Sequence, residues 1–433
     1  MTSTGMDGSG SPTPAGFAAL AIEDWRQFDS VHLRFHSRLT ILTGANATGK
    51  STILSILARH FNWTRAFSTA PVRTRSEYGW VSVGRKRARK WARDRSYASV
   101  GKLTYGTGIV TDIQVPPPTE LAKASHYDLL LTNQQPVTGS FITSHRTSSG
   151  NYTPVQQIPT SFAAPDDLYE QFTQEARTRW QGGWTGRSPQ QALKEALMSA
   201  AVFSVRNNPH VHFNRDAASV WDGFQEILKL VMPASLGYQG MHIRSPDLVI
   251  ETSTGDFIID DASGGLAAII EVAWSIFLRS RTEFGFTVLM DEPENHLHPS
   301  LQKEFMPGLV AAFPHVQFIV ATHSPFVVTA TPDSSVYALH YNEARRVVAR
   351  GLDYANKAAS ADETLREVLG VGSTVPSWAE TAFRRVLKDY PPGTLNDERL
   401  RQLRRDLAAL GLEAEFPTAI MNLTSPGEQG RPG

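Results

Sequence analysis

Apolar residues along this chain fall into short blocks whose spacing predicts an alternation of strands and helices. Phe17-Ala18-Ala19-Leu20-Ala21-Ile22 predicts a strand, and Val31-His32-Leu33-Arg34-Phe35 alternates as a half-buried strand does. Leu39-Thr40-Ile41-Leu42-Thr43 predicts a third strand that runs straight into a glycine loop. Beyond that loop, Ile53, Leu54, Ile56, Leu57 and Phe61 recur at helical spacing, so Ser51 to Phe61 is expected to be a helix. Ser99 to Val115 returns to strand-like alternation, and a short strand is expected at Ser140-Phe141-Ile142. From Asp166 to about Met232 the pattern is mainly helical, with Trp180 and Trp184 near a glycine-rich turn.

Strand character then resumes. Asp247 to Glu251 and Phe257 to Ile259 flank Thr254-Gly255-Asp256 and predict a hairpin. Ala262 to Leu278 reads as a helix, Phe286 to Met290 as a buried strand, Leu301 to Phe313 as a helix and Gln317 to Ala321 as another buried strand. Beyond about Ala344 the chain reads as helical and charged, most clearly from Asn396 to Leu412. The expected organisation is a flexible tail at 1–16, one head at 17–343, a helical C-terminal region at 344–423 and a second tail at 424–433. Within the head, a basic insertion spans about 64–100 and a helical lobe about 165–235.

Composition narrows the class. The 433 residues are 41% hydrophobic and 19% charged, a balance suited to burying a sizeable core. Formal net charge is zero, so attraction to nucleic acid or anionic membrane has to be local. There is no cysteine, which excludes disulfides and thiolate metal sites. The stretch Leu266 to Leu278 is too short for a membrane span and carries Glu271, and the opening residues lack a secretory pattern, so a cytoplasmic protein is expected.

Three polar stretches sit where strands end. Gly44-Ala45-Asn46-Ala47-Thr48-Gly49-Lys50-Ser51, followed by Thr52, fits the G-x-x-x-x-G-K-[ST] pattern between an apolar strand and an amphipathic helix. In such a loop, backbone N–H groups face the phosphates of ATP, Lys50 reaches the terminal phosphates and the Ser51 hydroxyl binds Mg²⁺. Asp291 and Glu292 close the run Thr287-Val288-Leu289-Met290, placing two carboxylates at the carboxyl end of a strand. Asp291 is the candidate Mg²⁺ ligand, and Glu292 the candidate that orients the attacking water. His323, after the strand ending at Ala321, is a candidate contact to the γ-phosphate. Ser263-Gly264-Gly265 opens a helix, where anions bind favourably.

Taken together and in this order, these stretches resemble the ATP-binding-cassette ATPases. The resemblance is closest to the branch holding chromosome-maintenance, RecF-type and overcoming-lysogenisation-defect ATPases, often described as AAA-family ATP-binding proteins. Asp291-Glu292-Pro293-Glu294-Asn295-His296-Leu297-His298-Pro299 carries it most specifically, with Thr322-His323-Ser324-Pro325 beside it. It implies an α/β fold with a P-loop NTPase core of cassette type, N-terminal antiparallel β elements, an inserted helical lobe and a short helical C-terminal region. It also implies ATP hydrolysis with Mg²⁺ in a head-to-tail homodimer, in which Ser263, Gly264 and Gly265 of one subunit cap the nucleotide of the other. Two positions depart from the pattern: the signature reads Ala262-Ser263-Gly264-Gly265-Leu266, and Ala47 stands where glycine is common. Gln156 or Gln157 is the candidate for the glutamine that such ATPases place near Mg²⁺. His296 and His298 lie in a stretch that resembles an interface loop rather than a metal site.

The segment Arg73 to Arg95, holding Arg75, Arg85, Lys86, Arg87, Arg89, Lys90 and Arg93 with Trp80 and Trp91, is a candidate nucleic-acid contact. The insertion lacks the sustained heptads of a coiled-coil arm, and the region after Ala344 lacks the carboxylate clusters of a Toprim nuclease. A stand-alone ATPase working with a separate effector, in a DNA-related or antiphage defence system, is therefore expected. The alternatives are a RecF-like DNA-repair ATPase and an ATP-dependent binding switch with little turnover.

Overall fold

The computed structural model describes residues 16–73, 78–81, 96–117, 126–144, 154–155, 161–183, 185–352, 360–369, 376–391 and 395–424. The chain divides into two compact units, 1–364 and 365–433.

The first unit is built on one mixed sheet of eleven strands. Its strands are β1 (Phe17–Trp25), β2 (Phe28–Arg34) and β3 (Leu39–Gly44), then β7 (Ala98–Tyr105), β8 (Val110–Val115), β10 (Leu130–Leu131) and β11 (Gly139–Ile142), and finally β15 (Phe286–Asp291), β16 (Val316–Ala321), β17 (Ser335–Tyr341) and β18 (Val347–Gly351). Between these in the chain come β4 (Phe67–Ser68), β5 (Ala70–Arg73), β6 (Tyr78–Val81), β9 (His126–Tyr127), β12 (Tyr238–Arg244), β13 (Asp247–Thr252) and β14 (Phe257–Ile258). The sheet runs β10-β8-β7-β1-β2-β18-β17-β3-β16-β15-β11.

One half is antiparallel: β1 pairs with β2 and β7, and β8 pairs with β7 and β10. The other half is parallel, from β17 through β3, β16 and β15 to β11. All six residues of β3 and of β16 are buried, as an apolar run without alternation predicts for a strand covered on both faces. Helix α1 (Lys50–Ala58) follows β3 and buries Ile53, Leu54, Ile56 and Leu57, the residues whose spacing predicts it. The expected strand at Ser140-Phe141-Ile142 is the outermost parallel strand, with Phe141 opposite Leu289 of β15.

The expected lobe consists of α2 (Pro165–Trp180), α3 (Pro189–Phe203) and α4 (Arg215–Val231), between β11 and β12 in the chain. The hairpin expected across Thr254-Gly255-Asp256 is β13 and β14, and β12 pairs with β13 on its other side. Helices α5 (Gly264–Ser280), α6 (Pro299–Ala312) and α7 (Pro325–Thr329) complete the parallel half.

Helix was the expectation beyond Ala344, but Val347–Gly351 is a strand, antiparallel to β17 and parallel to β2. Arg345 adopts a left-handed φ of 55°, and the Asn342 carboxamide accepts from the Arg346 N–H at 2.9 Å, so the two arginines close a hairpin. The Arg346 guanidinium turns inward onto Asp24 at 2.8 Å. A charge that suggests solvated helix in the sequence is thus spent on tying the hairpin to β1.

The second unit contains α8 (Ser377–Lys388), α9 (Asp397–Ala409) and α10 (Phe416–Thr424), gathered on Phe383, Leu403, Leu407 and Leu412. Much of the basic segment lies outside the described residues, namely Arg75, Arg85, Lys86, Arg87, Arg89, Lys90, Trp91, Arg93 and Arg95; its described part is the β5–β6 hairpin. Gln156, Gln157 and Trp184 also lie outside them. No described helix is long and apolar enough to cross a membrane.

Candidate functional site

Because β3, β16 and β15 are parallel neighbours, their carboxyl ends lie side by side. The register sets Asp291 opposite Ala321, and Ala321 opposite Leu42. The glycine loop, the carboxylate pair and His323 therefore emerge along one edge of the sheet.

The loop's shape follows from its backbone. Gly44 has a φ of 140°, and a Cβ there would lie 2.2 Å from the Leu339 carbonyl oxygen. Gly49 has a φ of 96°, with Phe28 and Gln27 against it. Only glycine fits either position without displacement. Ala47 is held in the left-handed region at a φ of 63°, and its carbonyl accepts from the Tyr341 hydroxyl at 3.0 Å. Ala45, Asn46 and Ala47 are exposed, whereas Thr48 is buried and donates to the Ala45 carbonyl at 2.9 Å. Lys50, Ser51 and Thr52 form the first turn of α1.

Lys50 is buried and folds back across the loop, its Nζ donating to the carbonyls of Gly44 at 2.9 Å and Ala45 at 3.1 Å. Burial lowers its pKa to about 8, against the opposing charges of Asp291, Glu292 and Glu294. The Ser51 hydroxyl donates to Asp291 Oδ1 at 3.2 Å. Burial, with Glu292 and Glu294 nearby, pushes the Asp291 carboxyl up, opposed by the Ser51 hydrogen bond and Lys50. A hydroxyl beside a desolvated carboxylate is a hard oxygen donor set, and it suits Mg²⁺.

Glu292 also has left-handed backbone, with a φ of 50°. Its N–H donates to the Ala321 carbonyl at 2.8 Å, and its Oε2 accepts from Asn295 Nδ2 at 2.9 Å. The second carboxylate oxygen faces His323 Nε2 at 4.0 Å. Burial and the Lys50 charge lower the His323 pKa, opposed by Glu292 and Glu294, which favours the neutral imidazole. Asn295 in turn donates to the Ser144 carbonyl at 3.3 Å, just beyond β11.

Glu294, within the Asp291–Pro299 stretch, joins the same group of side chains. Its Oε1 accepts from the Thr322 hydroxyl at 2.6 Å, the His323 N–H at 2.7 Å and the Ser324 N–H at 3.1 Å. One carboxylate oxygen thus clamps the loop that carries His323. Gln302 of α6 adds a second tie, accepting from the Ser324 hydroxyl at 2.6 Å while donating to the Leu297 carbonyl at 2.9 Å. An acidic residue two positions past the carboxylate pair was the available signal; its partners lie 28 to 30 residues further on.

The Ser263-Gly264-Gly265 stretch is not gathered into this group in the same way. Ser263 is exposed and caps α5, accepting from the Leu266 N–H at 3.4 Å. Gly265 packs against the turn after the carboxylates, where an added Cβ would lie 2.9 Å from the His296 carbonyl oxygen. His298 caps α6 through its ring, taking the Ser300 N–H at 3.3 Å.

This α/β fold is of the P-loop ATPase kind, and Gly44–Ser51 between β3 and α1 is its candidate nucleotide-binding loop. Residues 207–329 match the family described as "AAA domain, putative AbiEii toxin, Type IV TA system", and residues 19–59 match a second AAA domain model. Among curated proteins, the chain is similar to Septu protein PtuA of Bacillus thuringiensis, 26% identical over 158 residues, which is 33% of this chain and 40% of that protein. It is also similar to the Retron Ec83 probable ATPase of Escherichia coli, 29% identical over 223 residues, or 50% of this chain and 38% of that protein. The chain thus spans less than half the length of either relative. Among solved structures, the SMC head domain from Thermotoga maritima aligns at 14% identity and a TM-score of 0.37, covering 78% of this chain and 99% of that one.

Proposed function

We propose that this protein binds and hydrolyses ATP in head-to-tail dimers, as the ATPase component of an antiphage defence system that acts through a separate effector. The observation that carries the reading is the meeting of Ser51 with Asp291 at 3.2 Å, beside Glu292 and His323, at the ends of adjacent parallel strands. The Septu and retron relatives support the defence role.

In this reading, Gly44 to Thr52 hold the triphosphate through backbone N–H groups, and Lys50 leaves the Gly44 and Ala45 carbonyls to meet the β- and γ-phosphates. Ser51 and Asp291 would hold Mg²⁺, which when bound would neutralise charge on the phosphate oxygens. Glu292 orients a water in line with the γ-phosphorus. That oxygen forms the new P–O bond as the bond to the β-phosphate oxygen breaks and the water proton passes to the Glu292 carboxylate, leaving ADP and inorganic phosphate. Neutral His323 donates to a γ-phosphate oxygen. Ser263, Gly264 and Gly265 of the second subunit close the site from outside. Nucleic-acid contact through Arg73–Arg95 belongs to the same proposal.

The test is the molar mass of the Glu292→Gln variant with ATP, measured by light scattering. Doubling of the mass with ATP, absent with ADP and absent after Lys50→Ala, is expected. A monomer that binds ATP without associating would overturn the dimer reading. Turnover raised by gapped duplex DNA would move the biological role towards repair.

A further inference from the structure

The lobe contains a group of charges that the ATP site does not use. Lys194 of α3 is wholly buried, and its Nζ meets Asp260 Oδ2 at 2.5 Å and Asp247 Oδ1 at 3.2 Å. Asp247 begins β13, and Asp260 lies in a one-turn 3₁₀ helix at Ile259–Asp261. One helical turn before Lys194, Gln190 Nε2 donates to the Ile259 carbonyl at 3.3 Å, so α3 grips that turn twice. Ile259 and Ala262 are buried under it. The next residue is Ser263, which opens α5.

Burying an ammonium against two partly covered carboxylates is a poor way to gain stability, because apolar residues of similar volume pack as well without the desolvation cost. An ammonium fixed between two carboxylates does hold a turn in a defined place. We infer that Lys194 is a positioning residue: it links the helical lobe to the turn ahead of Ser263 and sets where Ser263, Gly264 and Gly265 are presented to the second subunit's nucleotide. This rests on the head-to-tail reading above. Lys194 touches no nucleotide; it acts on the neighbour's site and leaves its own phosphate loop intact.

That asymmetry gives a test by mixing variants. Lys194→Met alone should keep its ATP affinity within about twofold and lose roughly 10- to 100-fold in turnover, the scale of a misplacement near 1 Å. Lys50→Ala alone should be inactive, with its Ser263 stretch intact. In a heterodimer of the two, one site combines the intact phosphate loop of the Lys194→Met chain with the intact Ser263 stretch of the Lys50→Ala chain, so turnover should return. The control mixes Ser263→Arg with Lys50→Ala. Where the control is restored and the Lys194→Met mixture is not, the inference is overturned; where the control also fails, the head-to-tail reading fails. Equal loss of ATP affinity in isolated Lys194→Met would likewise overturn it. Circular dichroism checks folding, and Gln190→Ala with Asp260→Asn replaces Lys194→Met should that chain melt below the assay temperature.

Discussion

Two loops at the edge of the sheet hold a non-glycine residue in left-handed backbone, and they hold it differently. In the phosphate loop, Ala47 at a φ of 63° is exposed and is tied by its carbonyl to Tyr341. In the turn after β15, Glu292 at a φ of 50° has its N–H on the Ala321 carbonyl and its carboxylate on Asn295. Its neighbour Glu294 grips the following loop through three donors. Each strained residue costs on the order of 1–2 kcal/mol. The first loop accepts that cost for a backbone cradle that short-range sequence encodes. The second fixes side chains against one another across adjacent strands. The geometry of the glycine loop is therefore mostly local, and the geometry around Glu292 and His323 is cooperative.

The sharpest way to break this contrast is Glu294→Gln. A glutamine oxygen can still accept from the three donors at the Oε1 position, but the charge is lost and the NH₂ falls where the buried Oε2 has no partner, so about 1–3 kcal/mol of stability should be lost. Turnover should fall at least about tenfold through displacement of His323, while ATP affinity stays within about threefold. Affinity falling in step with turnover would show that the clamp also shapes the phosphate loop.

The next effect is a pH dependence of binding carried by the phosphate loop. Burial lowers the free-state pKa of Lys50 from 10.5 to about 8, and phosphate anions favour its charged form, so bound nucleotide raises it. ATP affinity should be greatest below pH 8. It should fall by up to about tenfold per unit as pH rises from 8 towards the bound-state pKa, with uptake of a proton on binding. Calorimetry at pH 8.5 in buffers of different ionisation enthalpy reads that proton directly. Glu294→Gln removes the smallest of the three charges that raise the Lys50 pKa, so it should shift this profile slightly towards lower pH.

The smallest effect belongs to Ala47→Gly. Relief of the left-handed strain slightly exceeds the extra entropy of the unfolded chain, so stability should rise by roughly 0.5 kcal/mol with turnover unchanged. Denaturant midpoints measure it.

The same division explains how much was legible in the sequence. The phosphate loop, Asp291, Glu292 and His323 stand at the ends of apolar runs, and parallel pairing of β3, β15 and β16 brings those ends together. Glu294 escaped assignment because its role depends on the register that sets Asp291 opposite Ala321. Lys194 looks like one more solvated lysine in an amphipathic helix, and its carboxylates lie 53 and 66 residues away. Arg345 and Arg346 suggest helix because a hairpin with a left-handed arginine leaves no glycine to mark it. Each miss turns on a charged residue whose role is set by a distant partner or by a turn without glycine, and periodicity records neither.

Glu292 is proposed as the residue that readies water for attack. Phosphate release by wild type and Glu292→Gln, measured at saturating ATP with ATP affinity determined in parallel, tests it most directly. Wild type should turn over, and the variant should lose about 100-fold or more while keeping its affinity. A variant that releases phosphate as fast as wild type, or a wild type with no release at all, would contradict it.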